Sequence, residues 1–127
     1  MKVISIKEPY ASLIMMKKKK IETRSFKTKY RGEIYIHASK TKSNKEYLID
    51  DPKPGYILCK CNLVDCIYMD EDFINKIKDT EEYNYGLYEV GRYAWILDDI
   101  EKIEPIYAKG QLGIWNFKGE NNEWFNN

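Results

Sequence analysis

Residues Glu33-Ile34-Tyr35-Ile36-His37-Ala38 alternate apolar and polar side chains without a break, and this limits the fold more than any other feature of the chain. A period of two fits only a strand. It puts Ile34, Ile36 and Ala38 on a core face and Glu33, Tyr35 and His37 on the opposite, outward one. Further extended segments are predicted over 2–6, 21–26, 93–97, 100–107 and 113–117, with 55–68, β-branched and Cys-rich, as the longest strand and with room for a bend. Helical spacing is confined to two short stretches. One runs from Glu8 to Met16 with Pro9 in its first turn; the other runs from Asp70 to Ile77 with acidic residues at its start. Residues 39–54 are polar, carry a short helical possibility around 45–49 and end in Pro52-Lys53-Pro54-Gly55, so they read as a loop within the domain. Strands outnumber helices and no strand-helix-strand alternation is present. The predicted fold class is therefore α+β, mainly β: a closed or nearly closed mixed barrel with one or two covering helices, since closure removes exposed edges.

A chain of 127 residues supplies one core, so residues 1–127 are expected to form a single domain. The formal net charge of +1 disfavours a non-specific coat on nucleic acid. It conceals an uneven distribution, however. Residues 1–45 carry 13 of the 21 basic side chains against 3 of the 20 acidic ones, leaving 8 against 17 for the rest. A local basic surface is compatible with that total, although a Lys- and Asn-rich composition also scatters lysines over any solvated face.

Cys59, Cys61 and Cys66 form an odd set in a chain with no secretory segment at its start and no apolar run long enough for a membrane span. A soluble, reducing, cytoplasmic setting is expected, with no membrane partner. Together with His37 the cysteines make four possible zinc ligands, but the spacing is not that of paired C-x2-C ligands. On a strand Cys59 and Cys61 share one face, so they are expected to be buried free thiols, with no metal and no cofactor.

The densest polar constellation is Lys17-Lys18-Lys19-Lys20-Ile21-Glu22-Thr23-Arg24-Ser25-Phe26, followed by Lys29, Tyr30, Arg31 and Gly32. On a strand Glu22 and Arg24 lie on one face about 7 Å apart, within mutual reach of their side chains. A nearby Lys is then either salt-bridged or, if buried, pushed toward a neutral base. The plain alternative is an ion-pair ladder on the rim of a barrel.

These residues carry a resemblance. Ile4 to Ile14, Lys19-x-x-Glu22-x-Arg24, Tyr30-Arg31-Gly32, Ile36-His37-Ala38, Tyr85-Gly86, Gly91-Arg92-Tyr93-Ala94-Trp95 and Lys109 to Trp115 together resemble the ASCH domain, a branch of the PUA-like superfamily. The resemblance implies a PUA-like mixed β-barrel of five to six strands with flanking short helices. It also implies a cleft beside a G-x-K-x-x-E-x-R loop that takes RNA or a nucleoside or nucleotide. Lys19, Glu22 and Arg24 fill the motif's polar positions, while its Gly falls at Lys17, where a non-Gly residue either avoids positive φ or accepts strain.

Some small members of the family are amidohydrolases acting on N4-acetylcytidine, with a motif Lys, a hydroxyl residue and a downstream Glu. Lys19 matches the Lys, Glu22 replaces the hydroxyl, and Glu82 and Glu89 are candidates for the second carboxylate. Other members are ribonucleases, which makes metal-independent RNA cleavage a further alternative. On this basis Lys19 and Glu22 are the catalytic candidates. The ligand-binding candidates are Arg24, Arg31, Tyr10, His37, Tyr85, Arg92 and Tyr93, the tyrosines as stacking surfaces for bases.

Overall fold

In the computed structural model, which describes residues 1–41 and 43–118, six strands form one curled, half-barrel sheet in the order β2-β5-β4-β3-β1-β6. They are β1 (Lys2–Lys7), β2 (Ile21–Arg24), β3 (Gly32–Ser39), β4 (Tyr56–Tyr68), β5 (Tyr93–Tyr107) and β6 (Ile114–Asn116). The helices are α1 (Tyr10–Met15) and α2 (Glu71–Ile77), with 3₁₀ turns at Glu46–Leu48 and Glu81–Tyr85. No helix among the described residues is long and apolar enough to cross a membrane.

The alternation in β3 sets the core. Ile34, Ile36 and Ala38 are fully buried with Ile4, Ile6, Leu58, Leu63 and Trp95, and α1 adds Ala11 and Ile14 to the same cluster. Each large apolar side chain so buried contributes about 1.5–3 kcal/mol relative to leaving it in water. On the opposite face of β3 Glu33 is exposed and Tyr35 half-buried, as expected, but His37 is not outward, which corrects the sequence reading at that residue. The strand β6 returns beside β1, and Trp115, Phe117, Val3, Ile57 and Ala108 form a second cluster on that side, leaving His37 only 1% exposed.

Pro9 precedes α1 rather than lying in its first turn, and the Glu8–Pro9 bond is cis. The fully buried Glu8 carboxylate accepts from the Ser12 N–H (2.8 Å), the Ser12 hydroxyl (2.6 Å) and the Lys53 N–H (3.0 Å). Those bonds satisfy an amide that the helix start leaves unpaired and tie the polar connection after β3 to α1. Asp70 caps α2 by accepting from the Phe73 N–H at 2.8 Å, in line with the acidic start read from sequence.

The longest strand is β5, at 15 residues against 13 for β4. Sequence reading divides β5 into two at Asp98-Asp99. Instead the chain passes through without leaving the sheet: Asp99 takes a positive φ of 49°, and the β4–β5 register shifts at three places. Such bulges add residues and twist without ending a strand, and here they curl the sheet toward a barrel.

Candidate functional site

The site starts at the end of α1. Lys17 occupies the left-handed region at φ 65°, directly after the helix, and the N–H groups of Lys18 and Lys19 both return to the Leu13 carbonyl (2.9 and 3.1 Å). Glycine is the usual residue at such a helix stop, so the position corresponding to the motif's Gly has kept its backbone and accepted the side-chain strain.

This reversal turns the Lys19 side chain inward, where it is 1% exposed. Its ammonium donates to the carbonyls of Ile21 and Tyr85 and lies 3.6 Å from Glu22 Oε1 and 5.6 Å from the centre of the Tyr10 ring. Burial pushes the Lys19 pKa down, while the Glu22 and Glu82 carboxylates pull it back up. Its N–H groups are committed, each aimed at an oxygen, and tie the 81–85 turn to β2.

Glu22 and Arg24, on one face of β2 as their spacing requires, meet at 3.1 Å (Oε2 to Nε). Arg24 Nη2 also donates to the Ser5 carbonyl at 2.9 Å, and its guanidinium lies over the Trp95 ring, 5.9 Å from the centre. Of the two downstream carboxylates, Glu82 joins this group. It accepts from the Lys20 N–H at 2.6 Å, its Oε1 is buried without a hydrogen-bond partner, and burial raises its pKa. Glu89 is exposed.

A second polar network lies on β1 and β3, which run parallel and pair Ser5 with His37. His37 Nε2 is 2.7 Å from the Ala108 carbonyl, which can only accept, so this nitrogen carries the proton. Nδ1 therefore accepts from the Ser5 hydroxyl at 3.0 Å. Trp115 Nε1 donates to the same hydroxyl at 3.1 Å. Burial lowers the His37 pKa. A Cβ on Gly110 would stand 2.9 Å from His37 Cε1 and 3.0 Å from Ser5 Oγ, so glycine lets the 109–113 loop close against this network.

The two networks border one open cavity of about 1310 Å³. Tyr10, Glu22, Arg24, His37, Tyr85 and Arg92 line it, and Lys19 sits behind Glu22. Arg31 and Tyr93 do not reach it. Arg31 pairs with Asp65 at 3.8 Å and donates to the Thr28 and Tyr30 carbonyls, and the Tyr93 ring packs edge-on against Tyr68 with centres 5.7 Å apart. Sequence reasoning missed Phe26, Lys7, Lys40, Lys45, Tyr107 and Lys109, which also line the cavity. Three of them, Lys40, Lys45 and Lys109, come from the connections after β3 and β5, and no local pattern reveals that those loops meet.

Cys59 and Cys61 are buried free thiols, with burial pushing Cys61 up to about 12 and Cys59 up as well. Both are therefore poor nucleophiles and poor ligands. Among the described residues no three metal-binding side chains gather.

Residues 4–107, most of the chain, match the family model described as the ASCH domain. The chain belongs to the ASCH domain family. Its fold is similar to that in the crystal structure of ASCH from Zymomonas mobilis, at 19% identity and a TM-score of 0.67 over 98% of this chain and 93% of that one. Two point mutants of the Zymomonas mobilis protein match at 19% and 17% identity, with TM-scores of 0.66 and 0.57, each over 98% of this chain and covering 94% and 96% of theirs. At these identities the likeness concerns the fold alone. No curated protein matches the sequence.

Proposed function

We propose that this ASCH domain binds single-stranded RNA or a nucleotide in the cavity between β2 and the 109–113 loop. The observation that carries the reading is the charge of the lining. Six cations (Lys7, Arg24, Lys40, Lys45, Arg92 and Lys109) face one carboxylate, Glu22. None of Lys7, Lys45 and Lys109 joins an ion pair among the described residues. A concave surface with that excess concentrates anions. Tyr10, Phe26 and Tyr85 give it aromatic surface for bases, and its volume exceeds the roughly 300–1,000 Å³ usual for a small-molecule pocket.

Hydrolysis of N4-acetylcytidine is less well supported. A base needs a lone pair on the substrate side, whereas Lys19 lies behind Glu22 with its N–H groups engaged, and the side chain three residues on is a carboxylate rather than a hydroxyl. We expect no cytidine from N4-acetylcytidine and no metal-free RNA cleavage.

A titration with short single-stranded RNA across a salt series tests the binding. Three lysines each neutralising a phosphate give a slope of log affinity on log salt of about −2, and each Lys→Ala change at 7, 45 or 109 reduces it by about 0.7. Arg31→Ala, remote from the cavity, leaves binding unchanged. Absence of binding at low salt overturns the reading.

A further inference from the structure

We infer that the cleft recognises a terminal phosphate, the monoester or diphosphate at the end of an RNA strand or on a free nucleotide, through Lys7, Lys40, Lys45 and Lys109. This rests on the nucleotide-binding reading above and adds to it which part of the ligand the lysines hold.

The cavity has two ends. The strand β5 pairs with β2 through Tyr93–Ile96 at its start and runs on to Tyr107, so the wall made by Glu22 and Arg24 and the wall made by the segment after Tyr107 belong to opposite ends of one long, curled strand. Aromatic rings gather at the first end: Phe26 follows β2, the Tyr85 carbonyl is held by the Lys19 ammonium, and the Tyr10 ring centre lies 5.6 Å from that ammonium. At the second, three pieces of chain are stitched together. The Gly55 N–H donates to the Ala38 carbonyl at 2.7 Å, the Ala108 N–H donates to the Gly55 carbonyl at 3.0 Å, and Lys7 faces Ser39 in the parallel β1–β3 register. Lys7, Lys40 and Lys109 therefore issue from neighbouring backbone, with Lys45 on the connection that follows β3.

None of these four lysines joins an ion pair among the described residues. The nearest carboxylates in sequence are engaged elsewhere: Glu8 accepts from Ser12 and the Lys53 N–H, and Asp51 pairs with Lys53. Lys40 is held in position, its ammonium donating to the Tyr107 hydroxyl at 2.6 Å and lying 4.9 Å from the centre of that ring. Tyr107 also packs edge-on with Tyr56, so the ring at this end is already engaged where a further nucleoside would need a surface to stack on. An internal phosphodiester carries one charge and must continue into such a nucleoside. A terminal monoester carries nearly two charges and presents three acceptor oxygens, and it ends there. Ammoniums bind phosphate as point charges with three donors each, and several of them on one concave wall repel one another until a multiply charged group sits among them.

The test is a titration at low salt and pH 8, where a phosphomonoester is a dianion. The RNA probes are one pentamer sequence ending in a 5′-phosphate, in a 3′-phosphate or in hydroxyls only, and a hydroxyl-ended heptamer that matches the phosphorylated pentamers in charge; adenosine and ADP represent the free nucleotide. A phosphorylated pentamer is expected to bind about tenfold more tightly than the hydroxyl pentamer, a little under twofold for each of four exposed ammoniums, and more tightly than the heptamer. Which of the two phosphorylated pentamers gains shows which RNA end the lysines hold. A gain for ADP over adenosine, with none for either pentamer, assigns the lysines to a free nucleotide. Combining Lys7→Gln, Lys40→Gln, Lys45→Gln and Lys109→Gln should bring each phosphorylated ligand within about twofold of its hydroxyl counterpart, whereas Lys60→Gln, outside the cavity lining, keeps the preference. Phosphorylated pentamers no tighter than the heptamer together with ADP no tighter than adenosine, or a preference unchanged in the folded fourfold variant, overturns the terminal-phosphate assignment and leaves the RNA reading in place. Should that variant fail to fold, the heptamer and adenosine comparisons on the unaltered protein decide the matter. If none of the probes binds, the nucleotide reading itself falls.

Discussion

Two buried polar networks border the same cavity and are built on opposite principles. The one around Lys19, Glu22, Arg24 and Glu82 is ionic, contains an oxygen with no hydrogen-bond partner, and faces the cavity through Glu22 and Arg24. The one around Ser5, His37, Trp115 and the Ala108 carbonyl is neutral and linked donor to acceptor. A neutral network needs only to be completed to be stable. A buried ionic one is expensive to assemble, and removing one partner leaves the others uncompensated. Charge is therefore concentrated where the wall faces the cavity through Glu22 and Arg24, and hydrogen bonds alone hold the 109–113 loop on the other side.

The largest expected effect separates the two networks directly. Lys19→Ala removes the buried cation that offsets Glu22 and Glu82 and leaves two carbonyls without their donor, and urea denaturation should show a loss of about 3–5 kcal/mol. His37→Gln at neutral pH should cost less, about 1–3 kcal/mol, because it disturbs only neutral hydrogen bonds.

A pH series sharpens the same contrast. The His37 pKa lies below the ordinary 6.5 in the folded protein, so between the two values the unfolded chain binds the extra proton. Its contribution is complete above pH 6.5 and is lost as the pH falls through the lowered folded value. Denaturation midpoints measured downward from pH 7 should decline in the parent protein and decline less in His37→Gln. The smallest effect is at the ionic end: Lys17→Gly relieves the side-chain cost of φ 65° and should stabilise by about 1 kcal/mol, visible as a rise in Tm.

Much of this was legible wherever a local pattern determines the structure. The β3 alternation, the spacing of Glu22 and Arg24, and the acidic start of α2 depend on neighbours in sequence, and each holds in the fold. The readings that differ turn on distant partners. His37 is enclosed because β6, about 80 residues later, lies beside β1, and Tyr93 faces Tyr68 because bulges shift the β4–β5 register. Arg31 follows its own loop to Asp65. Of the cavity lysines, Lys7 ends β1 and Lys40 and Lys45 follow β3, set side by side by the parallel pairing of those strands, while Lys109 follows β5, and nothing in their local sequence announces it.

The side chains that organise the cleft also govern how the molecule ends. The strand β2 is an edge of the sheet, and the Ile21 carbonyl is taken by Lys19 while Arg92 reaches the Thr23 carbonyl at 3.4 Å. Those outward oxygens, two residues apart, are the ones a strand from another molecule needs in order to add to the ladder. With both occupied by cations from its own chain, this edge of the half-barrel is capped, in part by the same lysine that props up the cleft.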